Sequence, residues 1–195
     1  MKYSIELACD SSQEWLDAVM ADFDAFLQDH ADCERKASAM AMSLVAKYPD
    51  RTDIIPELIE TGIEELEHFR DVFAIMKERG VPLSKEIGKD PYVQPLMALT
   101  HGGTPGTRFR DRLLIASVIE CRGCERFRLV SEALEDPELS RFYKLLWTSE
   151  AKHGNIFVKM ALNYFDEKDV YQRLEVLMQE EAKILQGLKI RSALH

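Results

Sequence analysis

The sequence predicts an all-α fold: a four-helix bundle with one long crossover and an additional C-terminal helix. Three observations carry this. Apolar residues recur every three to four positions over long stretches, four of the seven prolines and four of the nine glycines fall between residues 81 and 106, and two separate stretches each bear a Glu-x-x-His pair. A chain of 195 residues, 46% of them hydrophobic, is long enough to bury a core as one domain, residues 1–195.

Ser11 and Glu14 read as a capping box ahead of the run Trp15, Val19, Phe23, Phe26 and Leu27, so helix one is expected over about 12–48 with a break near Asp22. A second helix is expected from Asp53 to Gly80, with Pro56 in its first turn and Leu58, Leu66, Phe69, Val72, Phe73 and Met76 directed inward. Residues 81–106 read as a long connection with short helical pieces. A third helix follows over 107–134, a fourth over 137–165 and an amphipathic fifth over 166–188. Brief links inside each helix pair and one long link between the pairs give the connectivity of a ferritin-type bundle.

Composition narrows the function. No apolar run approaches the roughly 18 residues that cross a bilayer. The opening MKYSIELACDSSQEW has acids where a signal peptide has an apolar stretch, so a cytoplasmic protein without membrane attachment is expected. Cys9, Cys33, Cys121 and Cys124 are too scattered for a disulfide framework and read as small core residues. CRGC at 121–124 lies mid-helix, without the strand–helix context of a thioredoxin-like pair.

The chemistry lies in Glu65-Leu-Glu-His68 and Glu150-Ala-Lys-His153. A three-residue spacing puts both side chains of a pair on one helix face. Each pair follows a Glu on the preceding helix at nearly the same distance, 31 residues from Glu34 to Glu65 and 30 from Glu120 to Glu150, which amounts to a degenerate internal repeat. One Glu-x-x-His on a helix is ordinary solvated surface; two in register are not. Glu34, Glu65, His68, Glu120, Glu150 and His153 make up the ligand inventory of a carboxylate-bridged dinuclear iron or manganese bundle. Four buried carboxylates require compensating positive charge, which two divalent ions supply. Small residues near Glu34 (Ala31, Ala37, Ser38, Ala41) and near Glu120 (Ala116, Ser117, Gly123, Cys124) leave room for ions and small molecules. Glu125 lies off the phase of Glu120. His30 and His101 read as surface or loop histidines, with an extra ligand or gate as the alternative for either.

The sequence resembles the bacterial tRNA hydroxylases that act on 2-methylthio-N6-isopentenyl-adenosine beside the anticodon. The matching segments are Asp29-His30 with Cys33-Glu34 and KASAMAMSLVAKY, EELEH at 64–68, RGVPL at 79–83, VIECRGCERF at 118–127, RFY at 141–143 and SEAKH at 149–153. Gly154 and Phe157 depart from the family pattern, which has tyrosines after the second His. The resemblance implies two iron ions, dioxygen as co-substrate, electrons from a separate reductase system, and hydroxylation of the isopentenyl group. It further implies that Glu65 and Glu150 bridge the irons, that Glu34 and Glu120 are terminal ligands, and that His68 and His153 bind one iron each. Glu64 and Ser149 are expected as oxygen partners of the two imidazoles. For tRNA, Arg108, Arg112, Arg122 and Arg126 share one stripe of helix three. Arg122 and Arg126 are expected to pair with acids, leaving Arg108 and Arg112, with Lys85 and Lys89, as phosphate contacts. The rival readings are a ferroxidase or iron-storage bundle, a quinone-ring hydroxylase and a purely structural helical module.

Overall fold

The computed structural model describes residues 5–85 and 88–195, which form seven α-helices and, among the described residues, no strand. The part of the 81–106 connection at 86–87 lies outside the described residues. The helices are α1 (Gln13–Ala21), α2 (Phe23–Lys47), α3 (Ile55–Arg79), α4 (Val93–Ala98), α5 (Pro105–Ala133), α6 (Pro137–Leu162) and α7 (Glu167–Gly187). The expected break near Asp22 is present, since the Asp22 carboxylate accepts a hydrogen bond from the amide of Ala25 and opens α2. The chain divides into two compact units, one of residues 17–88 with 191–194, the other of residues 1–16 and 89–190 with 195.

The first unit is built on the hairpin of α2 and α3. Pro56 stands in the first turn of α3, where its missing N–H costs no hydrogen bond. Gly80 ends the helix in the left-handed region at φ 71°, and the Val81 amide closes back onto the Met76 carbonyl at 2.8 Å. Inward placement holds for Leu58, Val72 and Met76, and Phe69 is half-buried, but Leu66 and Phe73 are exposed. At about 100° per residue, Leu58 and Val72 lie within roughly 20° of Glu65, whereas Leu66 and Phe73 lie about 80–100° away. Turning Glu65 inward therefore turns those two outward, beside exposed Ile59 and Ile63.

The second unit is built on the antiparallel pair α5 and α6, with α4 and α7 packed on it. Thr104 caps α5 through the Thr107 amide, and Asp136 caps α6 through the amides of Glu138 and Leu139; Pro105 and Pro137 follow these caps directly. The N-terminal segment does not form the expected capping box. Ser12 accepts from the Trp15 amide, while Ser11 donates its amide and hydroxyl to Glu125 at 2.9 and 2.8 Å.

As expected, Arg122 pairs with acids. It is fully buried, donates to both oxygens of Glu181 on α7 at 2.8 and 3.0 Å and to the Cys9 carbonyl at 2.8 Å, and meets Glu125 at 3.1 Å. Burial works against its charge, but the bonds and charge of Glu181 outweigh it and hold the guanidinium above its ordinary pKa. Tyr92, fully buried, donates to the same Glu181 at 3.0 Å, and burial followed by the Glu181 charge raises its pKa well above the usual value. Arg126 lies over the Trp15 ring at 4.4 Å and donates to Ser11; burial, then repulsion from Arg122, lowers its pKa to about 10.

Candidate metal-binding residues

In the α2–α3 unit, Glu34 comes from α2 and Glu65 and His68 from α3. Both carboxylates are buried and His68 is nearly so. The Nδ1 atom of His68 lies 3.6 Å from Glu65 Oε2 and 4.0 Å from Glu34 Oε2. Ligand atoms each roughly 2.1 Å from a shared ion sit about 3–4 Å apart, so this spacing suits three donors around one cation.

In the α5–α6 unit, Glu120 is buried on α5, and Glu150 and His153 are buried on α6 with Nδ1 of His153 2.7 Å from Glu150 Oε2. Leu146, Glu150, His153, Phe157 and Met160 form one stripe of α6 that is buried throughout. Each unit thus carries two carboxylates and one imidazole, a hard-oxygen set with a borderline nitrogen that fits iron or manganese. Glu125 faces Ser11 and Arg122, consistent with its being off phase.

Side-chain bonds to helix carbonyls fix the helices of each hairpin beside these residues. In the first unit the Ser38 hydroxyl donates to the Gly62 carbonyl at 2.8 Å. In the second, Ser117 donates to Gly154 O at 2.6 Å and the Cys124 thiol to Trp147 O at 3.3 Å. Gly154 lies close against α5: a Cβ there would come within 2.6 Å of Cys121 Sγ, which would have to shift to admit it.

His30 corrects the sequence reading. Instead of lying at a surface or in a loop, it is fully buried on α2 with Nε2 2.6 Å from Glu34 Oε1, because a residue four positions before Glu34 shares its helix face. That offset was the available signal. His101 is exposed, as expected. Of the cysteines only Cys33 is buried; Cys9, Cys121 and Cys124 are half-buried. Burial pushes the Cys121 thiol up to about 12, helped by Cys124 and Glu120, and pushes Cys124 up to about 11, helped by Glu150. Glu64 and Ser149 are half-buried. Arg108, Lys85 and Lys89 are exposed and Arg112 is half-buried. No helix of the described residues is long and apolar enough to cross a membrane.

Known proteins with similar sequences and structures share the fold and, for the sequence relatives, one name. The chain is 38% identical over 181 residues to a tRNA 2-(methylsulfanyl)-N(6)-isopentenyladenosine(37) hydroxylase of Pseudomonas putida, covering 93% of this chain and 87% of that one. It is 26% identical over 230 residues to the protein of the same name from Salmonella typhimurium, covering 92% and 83%. A solved structure, protein 43 with aldehyde deformylating oxygenase activity from Synechococcus, matches with a TM-score of 0.90 at 33% identity, over 97% of this chain and 94% of that one. The fold is therefore the ferritin-like, all-helical one that the sequence predicts. The chain belongs to the tRNA-(MS[2]IO[6]A)-hydroxylase (MiaE) family, whose model it matches over residues 2–195.

Proposed function

We propose that this protein hydroxylates the isopentenyl group of 2-methylthio-N6-isopentenyl-adenosine next to the anticodon of tRNA, using two iron ions, dioxygen and electrons from a separate reductase. Family membership over nearly the whole chain is the observation that carries this reading. Glu34, Glu65 and His68 from one unit and Glu120, Glu150 and His153 from the other are the residues assigned to the irons. Hydroxylating an unactivated C–H bond needs an oxidant that no side chain provides, and bound iron supplies the electron-transfer chemistry for it. The chain's own contribution is placement. Burial keeps bulk water from the carboxylates, His30 orients Glu34, and the serine-to-carbonyl bonds fix the neighbouring helix faces. Exposed Arg108, Lys85 and Lys89, with Arg112, are assigned to tRNA phosphates, and Glu64 and Ser149 to the imidazoles.

The test is nucleoside mass spectrometry of tRNA from cells with and without the gene. Loss of the hydroxylated isopentenyl-adenosine in its absence is expected; an unchanged nucleoside profile would remove the tRNA function. The likeness to the Synechococcus protein favours a second reading, aldehyde deformylation. Turnover of an aldehyde by purified, iron-loaded protein that leaves the modified nucleoside untouched would select it.

A further inference from the structure

Within the α5–α6 unit a cavity of about 650 Å³ opens beside Glu150. Cys121, Cys124 and Arg128 line it from α5, and Trp147, Glu150 and Gly154 from α6. Positions 121, 124 and 128 share one helix face, as do 147, 150 and 154. The N-terminal strap adds Ile5, Glu6, Leu7 and Asp10, and Glu125 on α5 brings a further carboxylate. The strap is tied down by the Arg122 bond to the Cys9 carbonyl and by the two Ser11 bonds to Glu125. The volume is that of a small-molecule pocket.

We propose, on the reading of function given above, that this cavity receives the alkylated base itself, turned out of the anticodon loop and stacked on the indole of Trp147. Trp147 precedes Glu150 by three residues, roughly 4.5 Å along α6, so a base on the indole sets a five-carbon substituent at the level of the Glu150 carboxylate. Beyond Glu150, Gly154 lies against the Cys121 thiol, and Asn155 continues the lining. The thiols and the Ile5 and Leu7 side chains offer apolar contact to the alkyl and thiomethyl groups.

Charge orients the nucleotide. Glu6 and Asp10 repel phosphate from the strap wall. Arg128 is 42% exposed and pairs, among the described residues, with Glu132, itself 60% exposed, and a pair in that setting holds its cation weakly. A phosphate flanking the turned-out base can therefore draw the guanidinium away. Stacking of unpaired bases on aromatic side chains is the usual way that proteins read single-stranded RNA loops.

The chain has two tryptophans, and Trp15 is buried under Arg126, so a Trp15→Phe background leaves Trp147 as the reporter. The probe is a synthetic anticodon stem-loop carrying 2-methylthio-N6-isopentenyl-adenosine, titrated into iron-loaded protein. Saturable quenching of the indole is expected. Trp147→Ala should weaken binding about ten-fold while Trp147→Phe restores most of it, with iron content unchanged in both. Arg128→Ala should lower the slope of log affinity against log salt by about one. Hydroxylated nucleoside from the wild type combined with unaltered binding by Trp147→Ala would overturn the pocket and leave the reaction standing. A wild type that binds the stem-loop but forms no hydroxylated nucleoside would overturn the reaction on which the pocket rests.

Discussion

At the scale of single residues, spacing made six carboxylate and imidazole positions legible, because a repeated Glu-x-x-His with a preceding Glu at 30 or 31 residues has few ordinary explanations. The structure gathers three of the six around the His68 ring and joins Glu150 to His153. His30 was not legible in the same way, since a lone histidine outside the repeated Glu-x-x-His pattern reads as a surface or loop residue, and only its offset of four from Glu34 signalled the contact. Its contact with Glu34 gives it a definite task. Replacing His30 by Leu removes the bond while keeping the volume, and apparent metal affinity should fall about 10- to 100-fold. A competitive chelator titration measures this, with His30→Gln expected to recover part of the loss. Equal affinity in all three proteins would show that Glu34 needs no orienting partner.

At the scale of elements, helix boundaries were readable to within a few residues because caps are local chemistry: Asp22, Pro56, Gly80, Pro105 and Asp136 mark ends by their own side chains or dihedral preferences. Facing was less readable. Apolar content alone would turn Leu66 and Phe73 inward, but inward Glu65 fixes the phase of α3 against them. The partners of helix-three arginines were readable only as a class, since the identity of Glu181 depends on α7 returning alongside α5. That pair carries a stability prediction. Arg122 and Glu181 are both fully buried, so Glu181→Leu alone strands a buried guanidinium and should cost about 3–5 kcal/mol in denaturant melts. Arg122→Met combined with Glu181→Leu should cost distinctly less, and additive losses would argue against coupling of the two charges.

At the scale of the whole molecule, length, helix count and the one long connection sufficed for the fold class. What the sequence could not supply was the division of labour between side chains that bind and side chains that merely pack. Ligands that bind only the folded chain stabilise it by mass action. Iron at a hundred times its dissociation constant should add about 2.7 kcal/mol per independent site, so the melting temperature should rise on loading and fall again with chelator. Glu65→Ala and His153→Ala should abolish most of that rise, while Glu67→Ala, on an exposed position of the same helix, should not. A rise of the same size in all three variants would mean that the ion sits elsewhere.

The bond from Ser38 to the Gly62 carbonyl bears on the molecule's ancestry. Ser38 follows Glu34 by four residues and Gly62 precedes Glu65 by three; Cys124 follows Glu120 by four and Trp147 precedes Glu150 by three. The two side-chain-to-carbonyl bonds therefore occupy the same place in the two halves of the internal repeat, one made by a hydroxyl and the other by a thiol. Descent from one duplicated hairpin accounts for a shared cross-link at matching positions far more simply than two separate origins. The copies then parted company at that spot. One kept a small pair, serine and glycine, and the other took up a thiol and an indole, the very groups that border the cavity beside Glu150.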